Sequence, residues 1–124
     1  MTGVTLDAGA LIGLEKGSTR LRGLLEEWGD GARLRVPAPV LAQVWRSGAR
    51  QAVLSRLLDA ERTTVVALDR TAAQSVGGLL AATGTRDVVD AAVVICAWEH
   101  DDVVVTSDPD DLHRLDPTLR LIAL

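Results

Sequence analysis

The stretch TRDVVDAAVVICAWEHDDVVVTSDPDDL, residues 85–112, places acids at the head of an apolar helix and more acids just beyond an apolar strand. Asp87 and Asp90 are three residues apart, so at roughly 100° per helical residue they share one face of the first turn. The segment AAVVICAW follows them, and a helix without a polar stripe is normally buried on most of its surface. The sequence therefore predicts a buried helix whose N-terminus holds two carboxylates in fixed positions.

Two further acids follow apolar strands. The β-branched run at residues 103–105 is typical of a central strand covered on both faces, and Asp108 lies where the chain leaves the sheet. Asp7 follows the short strand at residues 4–6. Ligands bind at the carboxyl ends of strands in open α/β sheets, so both acids are expected at that edge. Taken alone, each acid also fits a structural role as a helix cap or turn residue.

Together these acids indicate a site for a hard cation. Asp7, Asp90 and Asp108 come from three separate segments, and unpaired carboxylates that meet in one place repel one another and favour protonation. A divalent ion removes that conflict. Mg²⁺ takes oxygen ligands and keeps several waters, so two or three carboxylates and a substrate phosphate are enough to hold it.

The composition predicts one domain, residues 1–124, with an aliphatic core. Hydrophobic residues make up 48% of the chain, which has no Phe or Tyr. No apolar run approaches the ~20 residues of a membrane span, and the N-terminal sequence lacks the pattern of a signal peptide, so we expect a cytoplasmic protein without membrane contact. Cys96 is expected to be a buried filler, the three Trp to pack in the core or a dimer interface, and His100 and His113 to lie at the surface without partners at ligand spacing.

The charge is distributed unevenly. Residues 1–86 have a balance of +3, whereas residues 87–124 have a balance of −7, which gives the net charge of −4. This asymmetry suits a site where a metal neutralises carboxylates and arginines hold phosphates, although solvated surface charge also produces it. Arg46, Arg50 and Arg86 are the candidates for phosphate contacts, because the guanidinium fork matches phosphate geometry.

Short apolar strands alternate with helical segments along the chain. Strands are predicted at residues 4–6, 33–36, 63–67, 103–105 and 120–124. Helices are predicted to begin at residues 8 and 87. Further helices are predicted over residues 18–28, 40–46, 50–58, 69–82 and 110–114. This order implies an α/β fold with a central, mainly parallel sheet of about five strands covered on both faces.

Four motifs, in this order, resemble those of the PIN domains, and among them the VapC-like toxins of bacterial toxin–antitoxin pairs. They are LDAGALI at residues 6–12, VPAPVLAQVWR at 36–46, DVVDAAVV at 87–94 and VVVTSDPDDL at 103–112. The resemblance implies a three-layer α/β/α sandwich that cuts RNA with Mg²⁺ or Mn²⁺, a homodimeric state and restraint by a VapB-like antitoxin. Surplus apolar surface on the helices at 40–46 and 50–58 independently favours a homodimer.

The resemblance also assigns roles to individual residues. The catalytic and metal-ligating acids correspond to Asp7, Asp90 and Asp108. Supporting roles fall to Gln43, Asp87, Thr106 and Asp111. The second acid of the family, usually a Glu on the third helix, falls on Gln43, which can ligate through its oxygen but brings no charge.

Three functions are therefore considered. The first is a metal-dependent endoribonuclease that acts as a toxin, in which Arg46, Arg50 and Arg86 contact RNA phosphate. The alternative is a catalytically weak PIN-like module that binds RNA or an antitoxin, for which Gln43 is the motivating feature. The third is a phosphate-receiving signalling domain, which the sequence disfavours because the only lysine, Lys16, lies in the first helix.

Overall fold

A computed structural model describes residues 3–124, and within them the strand β1 (Gly3–Leu6) is the middle strand of a five-stranded sheet. The other strands are β2 (Arg33–Pro37), β3 (Thr63–Val66), β4 (Val103–Thr106) and β5 (Leu121–Ala123). All strands run parallel, in the order β3-β2-β1-β4-β5. The predicted α/β fold with a parallel central sheet is confirmed.

Helices connect the strands, as parallel pairing requires. Within the described residues they are α1 (Ala8–Glu15), α2 (Thr19–Trp28), α3 (Ala38–Val44), α4 (Ala52–Asp59), α5 (Arg70–Thr83), α6 (Val88–His100) and α7 (Pro109–Leu115). Asp7, Asp69 and Asp87 cap α1, α5 and α6, each accepting a hydrogen bond from the backbone three residues on. No helix in residues 3–124 combines the length and the apolar character that crossing a membrane requires.

The direction of strand addition reverses between β1 and β4. The chain adds β2 and β3 on one side of β1, then crosses back and adds β4 and β5 on the other side. Such a switch point leaves a crevice at the carboxyl ends of two neighbouring strands, where α/β proteins bind ligands. The register pairs Leu6 with Val105, so Asp7 and Asp108 leave the sheet beside this crevice.

The core is aliphatic, and α6 contributes a continuous buried run to it. Residues 91–97 are all buried, including Cys96, as predicted for a small apolar filler. Each fully buried Val or Ile side chain stabilises the fold by about 1.5–3 kcal/mol, so packing holds the N-terminus of α6 in place. Trp98 is not a core residue, since it is 48% exposed. It lies one position past the buried run, and its indole N–H donates to the Asp116 carboxylate at 2.7 Å.

The segment between α3 and α4 is longer than the sequence predicts. The predicted helices end at residue 46 and begin again at residue 50, whereas α3 ends at Val44 and α4 begins at Ala52. The cause is the buried side chain of Gln51. Its Oε1 accepts from the backbone N–H groups of Arg46 and Ser47, at 2.7 and 3.0 Å, which holds this segment out of helical geometry.

A buried ion pair crosses β1 towards the amino edge of the sheet. The Arg35 guanidinium on β2 donates to the Asp102 carboxylate just before β4, with 2.6 Å between the two atoms. The Thr5 hydroxyl on β1 donates to the same carboxylate at 2.9 Å. Gly3 leaves room for the pair, because a Cβ there would lie 3.2 Å from the Asp102 Cγ and closer still to both charged groups. Asp102 is thus neutralised within the fold.

Candidate metal centre

Four segments that are distant in sequence meet at the switch point. Asp7 follows β1, Asp108 follows β4, Asp90 lies in the first turn of α6, and Gln43 lies near the end of α3. All four line one cleft of about 120 Å³ at the carboxyl edge of the sheet. Asp87 and Asp111 line the same cleft. The acids that the sequence singled out are therefore neighbours in space.

Asp7 is the most buried of these acids, with 7% of its surface exposed. Its carboxylate caps α1 by accepting from the Ala10 N–H at 2.9 Å. Burial raises the pKa of this carboxyl group and the nearby Asp108 charge adds to the rise, while hydrogen bonds from Thr106, Ala10 and Ser107 oppose it. The side chain is thus fixed in position but lacks a compensating positive charge.

Among the acids of the cleft, Asp90 has the pKa that is raised furthest above its ordinary value. Its pKa is raised to about 6, first by burial and then by repulsion from other carboxylates, in the order Asp87, Asp111, Asp108 and Asp7. Neighbouring negative charges favour the protonated form of this carboxyl group. A bound cation would favour its ionised form instead.

One hydroxyl connects the acids of the two strands. Thr106, which is fully buried, accepts from the Asp108 N–H through its Oγ1 at 2.8 Å. Its side chain also forms a hydrogen bond to the Asp7 carboxylate. The supporting role that the resemblance gives to Thr106 therefore has a physical basis, since this hydroxyl sets how the Asp108 backbone lies relative to Asp7.

The donor set fits a hard divalent cation. Asp7, Asp90, Asp108 and the amide oxygen of Gln43 are oxygen ligands, which Mg²⁺ and Mn²⁺ prefer, and the cleft contains no thiol or imidazole. The ligand atoms of the three carboxylates do not all lie within 4.8 Å of one another. Binding one ion through all three therefore requires a side-chain rotation. Asp108, which is exposed and makes no capping hydrogen bond, has the freedom for it.

Elsewhere in residues 3–124, the ligand atoms of Cys96, His100 and Asp102 all lie within 4.8 Å of one another. The expectation that His100 has no partner at ligand spacing was therefore wrong: Cys96 lies one helical turn before it, and Asp102 is brought close as the chain turns into β4. This cluster does not suit a cation, because Arg35 already pairs with Asp102. Burial, moreover, raises the pKa of the Cys96 thiol to about 11. It supports the fold instead.

The arginines that the sequence proposed for RNA binding lie in two places. Arg86 lines a second cleft, of about 220 Å³, which shares Asp87, Asp90 and Asp111 with the first. Arg46 and Arg50 lie in the segment between α3 and α4 and line neither cleft. The Arg46 guanidinium donates to the Trp45 carbonyl at 2.6 Å.

Sequence reasoning missed three residues of the site. Arg114 lines the second cleft together with Arg86 and lies 3.4 Å from the Asp111 carboxylate. Its spacing of three residues from Asp111 on a short helix was the available signal. Gly9 and Ser107, which lie against each other between Asp7 and Asp108, had no signal in the sequence, because their contact depends on how two distant segments pack.

Comparison with solved structures gives the same architecture. VapBC2 from Rickettsia felis, bound to a DNA fragment from its promoter, matches with a TM-score of 0.76 and 17% identity, over 98% of this chain and 98% of that chain. A toxin–antitoxin complex from Klebsiella pneumoniae matches with a TM-score of 0.73 and 15% identity, over 97% and 96% of the two chains. FitAcB from Neisseria gonorrhoeae matches with a TM-score of 0.64 and 15% identity, over 96% of each chain. At these identities the similarity concerns the fold alone.

Comparison at the level of sequence families is decisive. No curated protein matches the chain. The family model of the PIN domain matches residues 4–116, a span that runs from β1 past α7 and includes every acid of the cleft. With nearly the whole chain matched and the acids at the switch point of the sheet, this protein belongs to the PIN domain family.

Proposed function

We propose that this protein is a metal-dependent endoribonuclease, a VapC-like toxin that hydrolyses RNA phosphodiester bonds. The observation that carries the proposal is the cleft at the switch point, where Asp7, Asp90 and Asp108 meet in a PIN domain. Oxygen ligands that repel one another at this edge of the sheet suit a hard divalent cation such as Mg²⁺ or Mn²⁺.

The roles of the residues follow from their surroundings. Asp7, Asp90 and Asp108 would hold the ion, with Gln43 as a neutral fourth ligand. When bound, the ion polarises the phosphodiester and lowers the pKa of its water. The hydrogen bonds from Ala10 and Thr106 keep the Asp7 carboxylate oriented towards the cleft.

The second cleft is suited to the RNA backbone. Arg86 and Arg114 line it beside Asp90, and guanidinium groups bind phosphate oxygens in pairs. Phosphate held there lies next to the acids, which orients the adjacent bond for attack. Arg46 and Arg50, further away, are proposed to contact RNA outside the cleft through charge alone.

A cleavage assay tests the proposal. Purified protein is incubated with labelled single-stranded and structured RNA in Mg²⁺, in Mn²⁺ and in EDTA, and we expect cleavage only with metal. The control is Asp7→Asn, because an Asn side chain still caps α1 but brings no charge to the cleft. Cleavage in EDTA, or equal cleavage by Asp7→Asn, would show a metal-independent activity or a contaminating nuclease.

Gln43 favours a second candidate, a PIN-like module that binds RNA or an antitoxin and cuts weakly. A neutral ligand in place of a carboxylate weakens metal binding, since charged contacts contribute more than neutral ones. RNA binding by filter retention without cleavage at any metal concentration would favour this candidate over the nuclease.

The partners are proposed on the same basis. Structural neighbours of this chain are toxin–antitoxin complexes, which supports a VapB-like antitoxin as partner in the cytoplasm. A homodimer is proposed from the apolar residues of the segments 40–46 and 50–58, of which Leu41, Trp45, Val53 and Leu58 are only half-buried. Light scattering at micromolar concentration is expected to give twice the monomer mass of 13.1 kDa, and a monomer would refute the dimer.

A further inference from the structure

The first turn of α1 and the segment after β4 approach more closely than side chains ordinarily allow. A Cβ built on Gly9 would overlap the Ser107 hydroxyl and would lie 2.7 Å from the Ser107 Cβ and 3.3 Å from the Ser107 backbone nitrogen. Carbon atoms in van der Waals contact are about 3.5–4.0 Å apart. Any side chain at position 9 would therefore displace Ser107.

The demand at Gly9 is for space and not for an unusual backbone conformation. The glycines with positive φ among the described residues are Gly17, Gly29 and Gly84, and Gly9 is not one of them. Gly9 lies inside α1, where Ala is the better helix former, so propensity alone would favour Ala at this position. Only the contact with Ser107 opposes that substitution.

Ser107 cannot move without moving the site. It stands between Thr106, the last residue of β4, and Asp108, and its backbone N–H is near enough to the Asp7 carboxyl group to lower the pKa of that group. The Ser107 hydroxyl can rotate away from a new methyl group, but its Cβ moves only with the backbone. A shift of this backbone carries Asp108 with it and breaks the contact to Asp7.

We infer that Gly9 is a positioning residue of the acidic cleft: its missing side chain lets residues 106–108 lie against the first turn of α1 and so sets the distance between Asp7 and Asp108. The role in metal binding rests on the function proposed above, whereas the role in placing Ser107 and Asp108 does not. Gly9 itself has no side chain with which to bind an ion or a substrate.

The test compares Gly9→Ala with Gly13→Ala in the same helix, where a new Cβ would meet only the Ser18 Cβ at an ordinary 3.8 Å. Isothermal titration with Mn²⁺ is expected to show an affinity about 10- to 100-fold weaker for Gly9→Ala and unchanged for Gly13→Ala, the range seen when groups that orient metal ligands are lost. Thermal melting without metal shows whether each variant is folded.

A rescue variant separates positioning from a general loss of structure. Ser107→Gly removes both side-chain atoms that a Cβ at position 9 would meet, so the double variant Gly9→Ala/Ser107→Gly should regain the affinity of Ser107→Gly alone. Recovery of folding in the double variant supports the inference even if Gly9→Ala does not fold. A double variant as impaired as Gly9→Ala would overturn it.

Backbone amide chemical shifts, measured by NMR in the metal-free protein, distinguish the positioning role of Gly9 from the proposed metal-dependent function. Gly9→Ala should displace the NMR signals of Ser107 and Asp108, and Gly13→Ala should leave them in place. Unmoved signals overturn the inference whatever the metal result. Displaced signals together with a parent protein that binds no Mn²⁺ overturn the proposed function and leave the placement of Ser107 and Asp108 by Gly9 standing.

Discussion

Two buried carboxylates lie at opposite edges of the same sheet, and the groups that they contact differ. Asp102, towards the amino edge, accepts from Arg35 at 2.6 Å and from Thr5 at 2.9 Å. Asp7, at the carboxyl edge, has Asp108 as a charged neighbour, and no ion pair among residues 3–124 includes it. A buried charge without a counterion is costly. The fold neutralises Asp102 itself, and we propose that an external cation does so for Asp7. The missing counterion at Asp7, and not its burial alone, is what supports the proposed cation site.

Removing the counterion at the amino edge should have the largest effect. Arg35→Met leaves Asp102 buried without its partner, so we expect a loss of about 3–5 kcal/mol in the free energy of unfolding, measured by urea denaturation. The matched control is Arg120→Met, which breaks the exposed pair with Asp101, where a change below about 1 kcal/mol is expected. Equal losses in the two variants would contradict the distinction between buried and surface pairs.

Removing a charge at the carboxyl edge should have the opposite effect on stability. Asp90→Asn takes one charge from a repelling cluster, so the metal-free protein should melt at the same temperature or higher. Mn²⁺ affinity should fall about 10- to 100-fold, because a charged contact contributes about 1.5–3 kcal/mol, and cleavage at limiting metal should be lost.

The control for Asp90 is Asp110→Asn, an exposed acid of α7 that does not line the cleft. It should leave Mn²⁺ affinity and cleavage unchanged. Cleavage at the parental rate by Asp90→Asn would mean that Asp90 is not a required ligand.

Adding a charge to the cleft is expected to have a smaller effect. Gln43→Glu places a carboxylate at the position to which the resemblance assigns the second acid of the family, so Mn²⁺ affinity measured by titration should rise about tenfold, or about 1.4 kcal/mol. The metal-free protein should become slightly less stable. Gln74→Glu, on the exposed surface of α5, is the control for charge alone. Unchanged affinity in Gln43→Glu would mean that Gln43 does not face the ion.

The last of these predictions concerns the pH dependence of the metal-free protein. The pKa of Asp90 is about 6 in the folded state and near 3.8 in the unfolded state, so between these values the folded protein binds more protons. Stability in EDTA should therefore fall as pH rises from about 4 to about 6, and Asp7, whose pKa is also raised, acts in the same direction. Melting temperatures of the parent and Asp90→Asn across this range should show a shallower fall for the variant; parallel curves would mean that Asp90 is not the titrating group.

Features with a local cause were predictable from the sequence. The strands and most helix ends follow from apolar runs, from caps such as Asp69 and Asp87, and from the glycine at position 84. The acids of the cleft were predictable as well, because strand ends and helix starts gather at one edge of a parallel sheet.

The features that escaped prediction depend on contacts between distant segments. Gln51 interrupts α3 and α4 because its side chain reaches back to Arg46 and also to Glu15, which lies 2.8 Å away on α1. The clustering of Cys96 with Asp102, and the approach of Gly9 to Ser107, have the same kind of cause. Periodicity and propensity carry no information about such distances.

The central claim is that an ion binds among Asp7, Asp90 and Asp108, and locating the ion tests it most directly. Crystals grown with Mn²⁺ should show an anomalous difference peak within bonding distance of these three carboxylates, with Asp108 rotated towards the cleft. A peak beside Cys96, His100 and Asp102, or no peak at a Mn²⁺ concentration that supports cleavage, would contradict the account.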